Sequence, residues 1–580
     1  MAGRLLVFPF GCWNNDEAVY QLQAASLATG RLFPIAPSQG AGAMTPWLTA
    51  SRGDSFVPKY SPVAPAFYAV GDLLRAPLVS FAIVAALTVI AAAGLTRALG
   101  GSRAGVGAAL ALIAMPVFMM QSWTALSYVP SLALSLFALW AAVSASELDS
   151  SWRAAAAGLL GGLVAAGRPL DGVIIVGLVI AWLVVEASGA QRVRLVALAT
   201  GAAGVVAVAM LFYNTQSTGD VFTLPFNILD RSDSWGLGKH RLLPTETAFD
   251  FSPARMVEGA VRNAMLVLVW APGSLVGAAL AVRALRRGRL RGRWLLIAWA
   301  ATTFIAYAFF WGSYNATITW GASNYLGPYY FLPVMTIVAM AAGTELSIAE
   351  WSARKPAIVA VGVLSAVVIA VALPTDLTTT RVLRAVDRAT APAREEPSFV
   401  VVDPRIGDFL NTPYGNLGND PDLTGTTLYA IGNRDVLTAV RGLATGRQLW
   451  TLSFLDSPTA TSTGIAPRLD RAQVVTGTRL KIDLPQGERG QARMQWGSCV
   501  LTRSKSAATT TFEISPEGLV LDAADHADRC PPAPNALTVS WGPDPDHPNQ
   551  RRFVVITVSA TDVTALVGAD AVTTTATATN

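Results

Sequence analysis

The chain has 580 residues, 52% hydrophobic and only 14% charged, with a mean hydropathy of +0.44. Soluble domains carry roughly 25% charged residues, so a wholly soluble globular protein is excluded and a polytopic membrane protein with a soluble part is expected. The net charge of +5 does not point to nucleic acid, because the basic residues gather in short loops between apolar runs, notably Arg283, Arg286, Arg287, Arg289, Arg291 and Arg293, where they set membrane topology.

Leu5 to Phe10 is too short for a signal-peptide core and too short to span a bilayer, which takes about 20 apolar residues. A spanning helix ahead of residue 13 is therefore expected to be missing, with the chain start truncated. Asp16–Gly30 reads as a short helix, with Val19, Leu22, Ala25 and Ala28 at helical spacing and Gly30 as its stop. The apolar runs that follow are Leu78–Leu99, Ala104–Met120, Ala125–Ser144, Ala154–Gly167, Gly172–Val185, Leu195–Tyr213, Asn263–Leu285, Trp294–Phe310, Pro328–Leu346 and Pro356–Leu373, about ten spans. With residues 14–77 outside, alternation puts Arg97 and Arg103, Arg153, Arg192 and Arg194, the 283–293 loop, and Arg354 with Lys355 all inside, as the positive-inside rule requires. Residues 168–171, 214–262, 311–327 and the tail then fall outside.

After Pro374 the chain turns polar, and Ser398–Asp403, Arg479–Leu484 and Phe553–Val558 alternate with the period of strands. The expected fold class is a polytopic α-helical membrane protein with a C-terminal, extracytoplasmic, mostly-β domain. The expected divisions are residues 1–77 as a first outer loop, 78–374 as the membrane domain and 375–580 as the soluble one, in the plasma (inner) membrane. Cys499 and Cys530 in that tail could form a disulfide in an oxidising compartment, and no cysteine has histidines at zinc-ligand spacing.

Polar residues that could carry chemistry lie in the outer segments. Asp16 and Glu17 suit the positive end of a helix, yet carboxylates flush with a membrane are costly unless they act. A carboxylate there can serve as general base, and Asp16 could hold a divalent cation through hard oxygen ligands. Lys59 precedes Tyr60 among prolines that fix an extended backbone; it is either a snorkelling lysine or a point charge for phosphate. Arg168 and Asp171 break the apolar stretch 154–185 at its outer end. The 214–262 loop exceeds the about 12–15 residues of a bare connection; its Lys239, His240 and Arg241 could receive an anionic lipid phosphate. Trp320, Asn324 and Tyr329 belong to a Gly- and aromatic-rich stretch of the kind that holds sugar rings.

Taken in order, Asp16-Glu17, Lys59-Tyr60-Ser61-Pro62, Gly158–Pro169, Tyr213-Asn214 to Gly219, and Trp320–Pro333 resemble the polyprenyl-phosphate-sugar-dependent membrane glycosyltransferases of the GT-C superfamily, such as the dolichyl-phosphate-mannose-protein mannosyltransferases and aminoarabinose transferases. The tail's Asn419-Asp420-Pro421 resembles their outer domains. The resemblance implies an inverting transfer of a hexosyl or pentosyl unit from a polyprenyl-phosphate carrier to an envelope glycan, lipid or protein. It implies Asp16 as base or metal ligand with Glu17 beside it, Lys59, Arg168, Lys239, His240 and Arg241 toward the donor phosphate, and Tyr60, Trp320, Asn324 and Tyr329 toward substrate. The chain departs from the family at Ser61 and Val63, where proline and glycine are usual, and at Tyr329, where an arginine is usual. Alternative readings are a transporter or flippase of lipid-linked sugars and a non-catalytic envelope assembly protein.

Overall fold

The computed structural model describes residues 2–580 apart from 13, 15, 245, 404–416, 434, 455–466, 478–479, 486–491, 497–498, 504–508, 516–517, 523–527, 531–536, 542–551, 559–562 and 569–580. Among those residues, side chains are described to residue 477, except at 2, 351–353 and 454, and beyond it at 514, 556 and 563–566. Two compact units divide the chain: Met1–Leu32 with Pro58–Leu377, and Phe33–Val57 with Thr378–Asn580.

The first unit opens with α1 (Ala2–Val7) and α2 (Asp16–Ala28). Asp16 and Glu17 occupy the first turn of α2, where the helix dipole favours acids, and Gly30 beyond its end takes a left-handed φ of 80° that costs glycine little. The next elements, α3 (Ala41–Met44) and the hairpin β1 (Thr49–Arg52) and β2 (Ser55–Pro58), lie almost wholly in the second unit. The helical body then follows as α4 (Val63–Leu73), α5 (Pro77–Gly100), α6 (Ser102–Ile113), α7 (Pro116–Gln121), α8 (Tyr128–Leu148), α9 (Ser151–Gly167), α10 (Pro169–Glu186) and α11 (Gly189–Thr218). The single run expected over Ala104–Met120 is split between α6 and α7, because Pro116 has no N–H to carry one helix into the next.

After a loop bearing the hairpin β3 (Gly238–His240) and β4 (Phe249–Phe251) come α12 (Pro253–Trp270) and α13 (Ser274–Arg286). These two meet at a bend of 91°, where Pro272 is followed by Gly273 at φ 67°; the run expected over Asn263–Leu285 passes through this Pro-Gly turn signal unbroken. A second bend of 86° follows α14 (Arg293–Ala308), before α15 (Trp311–Tyr314). The last two helices are α16 (Leu332–Ile348) and α17 (Trp351–Thr390). The latter runs through both Pro356 and Pro374 and so overshoots the expected end at Leu373; a proline forfeits one backbone bond without obliging the helix to stop. Among the described residues, six helices are long and apolar enough to cross a membrane, or up to eight counting each bent pair as one. The chain is a multi-pass membrane protein.

The two ends of these helices differ chemically. At one end Arg291 donates its N–H to Leu99 O at 2.8 Å and pairs with Glu147, Arg194 pairs with Asp149, and Trp182 stacks on Trp294 at 5.8 Å. Arg194 and Arg291 are among the basic residues that the sequence groups at one end. At the other end lie the start of α8, the α9–α10 junction, the end of α14 and the start of α16. The 21 residues of α8 separate the two by about 30 Å, the thickness of a hydrocarbon core.

The second unit is mostly strand. Its principal sheet has the order β15-β16-β17-β8-β7-β5-β6, formed by β5 (Ser398–Val402), β6 (Thr427–Ile431), β7 (Gln448–Phe454), β8 (Pro467–Gly477), β15 (Leu537–Trp541), β16 (Arg552–Val558) and β17 (Val563–Gly568). β5 runs parallel to both neighbours and is buried along its whole length, which is why it reads as a continuous apolar run; α18 (Val436–Leu443) covers this part. A four-stranded sheet takes β9 (Leu480–Pro485), β12 (Thr509–Ser515), β13 (Gly518–Asp522) and β14 (Asp528–Cys530), and β10 (Ala492–Trp496) pairs with β11 (Cys499–Arg503). Asn419 clamps β6, donating to Tyr429 O at 2.8 Å and accepting from Tyr429 N at 2.7 Å, so this residue of the tail motif has a structural task. The expected Cys499–Cys530 pairing concerns side chains outside those described.

Candidate active site

Asp16 stands half-buried at the start of α2, near enough to the Tyr60 hydroxyl for that group to favour its charged form. Tyr60 is fixed from three sides. Its ring stacks on Tyr20 of α2 at 4.7 Å, and its backbone oxygen accepts from Gln23 Nε2 and the Tyr213 hydroxyl, each at 3.3 Å. Burial pushes the Asp16 carboxyl above its ordinary value, while the Tyr60 hydroxyl and the nearby charges of Lys59 and Arg168 pull the other way.

Lys59 is buried and forms an ion pair with Asp233; its Nζ also lies 4.2 Å from the centroid of Phe226, a cation–π contact. Asp233 accepts from Trp311 Nε1 at 3.1 Å. Burial raises the Asp233 carboxyl too, against the pull of Lys59. Asp233, Trp311 and Phe226 were not among the residues singled out in the sequence, because an Asp in a long polar loop looks like any solvated acid.

Arg168 closes the other side. Its guanidinium donates to Asp171 Oδ2 at 2.5 Å, the Ser127 hydroxyl at 3.1 Å and the Tyr307 hydroxyl at 2.6 Å, and lies 4.3 Å from the Tyr128 ring centroid. Tyr307 in turn donates to Asp171 at 2.9 Å. Tyr330 packs at 5.1 Å from Tyr307 and 5.5 Å from Tyr128, and Tyr329 is buried 4.7 Å from Tyr128. Asp16, Lys59, Asp233, Arg168, Asp171 and Tyr330 thus form one electrostatically coupled group.

Other expected site residues are placed differently. Glu17 is sealed beneath Asp16: its oxygens accept from Arg4 Nη1 at 2.5 Å, Ala125 N at 2.8 Å and Cys12 N at 2.7 Å. His240 is buried, its Nδ1 2.8 Å from Ser232 O and its Nε2 3.0 Å from Gly236 O, and its ring stacks on Trp311 at 5.6 Å; it braces the Trp311–Asp233 contact. Arg241 donates to Asp230 at 2.5 Å and Pro244 O at 3.1 Å, while Lys239 is exposed. Trp320 and Asn324 are exposed and share no hydrogen bond or ring contact with Asp16, Lys59 or Arg168 among the described residues. Among those residues no three His, Cys, Asp or Glu side chains converge to hold a metal ion. A divalent cation at Asp16 would have to share it with Tyr60 and the neighbouring Lys59, a poor donor set for a hard cation.

Residues 398–576 match a family model described as a domain of unknown function, DUF7846. No curated protein sequence matches the chain. The chain is similar to solved structures at low identity. The crystal structure of ArnT from Cupriavidus metallidurans bound to undecaprenyl phosphate is 13% identical, with a TM-score of 0.49 over 78% of this chain and 91% of that one. The archaeal oligosaccharyltransferase AglB from Archaeoglobus fulgidus, in complex with an inhibitory peptide and a dolichol-phosphate, is 12% identical, with a TM-score of 0.41 over 92% of this chain and 96% of that one.

Proposed function

We propose that the chain is an inverting glycosyltransferase that moves a sugar from a polyprenyl-phosphate carrier to an envelope glycan, lipid or protein at the face of the membrane opposite its arginine-rich end. The observation that carries the reading is the meeting of Asp16, through Tyr60, with Lys59 and Arg168 at one end of the helical body. Asp16 takes the proton of an acceptor hydroxyl as that oxygen attacks the anomeric carbon. The bond from that carbon to the phosphate oxygen breaks on the opposite face, and the lipid phosphate leaves with the electron pair. A phosphate is a good leaving group, so the demand is for charge neutralisation, which falls to Lys59 and Arg168. Tyr60 and Tyr330 flank the acid as the substrate-facing aromatics.

In this reading Glu17 anchors α2 beneath the acid, and His240 and Arg241 hold the 230–241 turn rather than the phosphate. The positive-inside rule applied to the arginine-rich loops places the site and residues 375–580 outside the plasma membrane, with 78–374 as the spanning part. The test uses the full-length protein in proteoliposomes with polyprenyl-phosphate-linked pentose and hexose donors, reading release of free polyprenyl phosphate. Asp16→Asn should lower release by about 10²–10⁴-fold with unchanged membrane insertion; unaltered turnover would overturn the reading.

A further inference from the structure

At the basic end of the helical body, α13 carries a feature that the proposed reaction does not use. Leu275, Ala279, Val282 and Arg286 are spaced by four, three and four residues and so share one side of the helix. Leu275 is 68% exposed and Val282 48%. Together with Ala278, Arg283 and Arg287 they line an open trough of ≈ 570 Å³, apolar along most of its length and cationic at one end.

The cationic end is ordered from below. Glu345, buried on α16, accepts Arg283 Nε at 2.8 Å and Arg287 Nη1 at 3.3 Å, with Arg289 Nε at 3.8 Å. One carboxylate against three guanidiniums leaves an excess of positive charge, and Arg286 has no acidic partner among the described residues. Arginines that only set topology need no more than a place in the loop. Here Arg283 and Arg286 stand within the last turn of the helix, in line with the apolar strip, and a buried acid fixes Arg283 and Arg287.

We propose that this trough binds an anionic phospholipid of the adjacent leaflet, its phosphate against Arg283, Arg286 and Arg287 and an acyl chain along Leu275, Ala278, Ala279 and Val282. A soluble phosphate would leave the apolar strip uncovered and a lipid of no net charge would not offset the excess positive charge, so the occupant is an amphiphile with a net negative head. Basic surfaces beside membrane helices gain about 1 kcal/mol per residue from anionic lipids, which is about five-fold in binding for each arginine.

Native mass spectrometry of the full-length protein in detergent, with phosphatidylglycerol and phosphatidylcholine of identical chains, tests the proposal. The anionic lipid should be retained at least about five-fold better, and Arg286→Gln should reduce that preference by about five-fold. Ala279→Trp fills the trough while keeping every charge, and it should also release the lipid. Equal retention of the two lipids, an unchanged preference in Arg286→Gln, undiminished binding in Ala279→Trp, or displacement by inorganic phosphate at matched concentration would each overturn it. Both positions are exposed, so unaltered thermal unfolding of the variants separates loss of lipid from loss of fold.

Discussion

Lys59 and Asp233 stand 174 residues apart in the chain and form an ion pair in which each side chain is only 3% exposed. The pair joins the segment after β2 to the loop before β3, and through Trp311 it reaches the end of the α14 bend. A charge removed so far from water is stable only with its partner, so the lysine read from sequence as a phosphate ligand is also a structural post.

Asp233→Ala should therefore cost about 3–5 kcal/mol by leaving the Lys59 cation buried and unpaired. The double variant Lys59→Met with Asp233→Leu should recover most of that loss, since an apolar pair of similar volume can replace a buried ion pair at little cost. Transfer should stay low in both. Thermal unfolding of the purified protein, run beside release of polyprenyl phosphate, checks the prediction; a double variant that regains activity along with stability would remove Lys59 from the chemistry.

The pH profile should carry the signature of Asp16. Burial holds its carboxyl above the ordinary 3.8, so the base form, and transfer with it, is lost as pH falls through that raised value. The Tyr60 hydroxyl stabilises the carboxylate and lowers the pKa. Tyr60→Phe should then move the acid limb of the rate profile to higher pH, leaving the rate at the plateau less affected than in Asp16→Asn. A limb that stays in place or moves down would mean that the titrating group is not Asp16.

The sequence made some of this readable and hid the rest for physical reasons. Hydropathy and arginine placement marked the helical runs and their polarity, because a bilayer imposes both directly. Hydropathy alone misses the bends at Gly273 and after Ala308, since a turn within an apolar stretch leaves it unchanged, although Pro272-Gly273 is a turn signal in its own right. Asp16, Lys59 and Arg168 stood out in the sequence because charge at a membrane boundary is costly. Asp233 was not, because its partner is distant in the chain, and His240 looked available for phosphate because nothing local reveals that two carbonyl oxygens face its ring nitrogens. Glu17 reads from sequence as a neighbour of Asp16 in the same site, although helical geometry points adjacent residues about 100° apart.

That divergence gives a paired prediction. Glu17→Gln should destabilise the protein by about 3–5 kcal/mol, because it leaves Arg4 buried without its acid, and any loss of transfer should track the loss of folded protein. Asp16→Asn should do the reverse, keeping the unfolding temperature near that of the parent while transfer collapses. Measuring both quantities on both variants checks the assignment, which fails if the two behave alike.

Helix packing offers a last test that is independent of the chemistry. α6 and α16 approach so closely at Gly107 and Gly343 that a Cβ on either would lie 2.1 or 2.2 Å from the other's carbonyl oxygen, the kind of contact small residues permit between membrane helices. Gly343→Ala should force the pair apart and cost about 1–3 kcal/mol, as overpacking does. Gly362 on α17 meets nothing within 4 Å, and Gly362→Ala should be neutral or stabilise by up to about 1 kcal/mol through the better helix propensity of alanine. Thermal unfolding of both variants in the same detergent decides it: equal and small effects would mean that the α6–α16 backbones do not meet at these glycines.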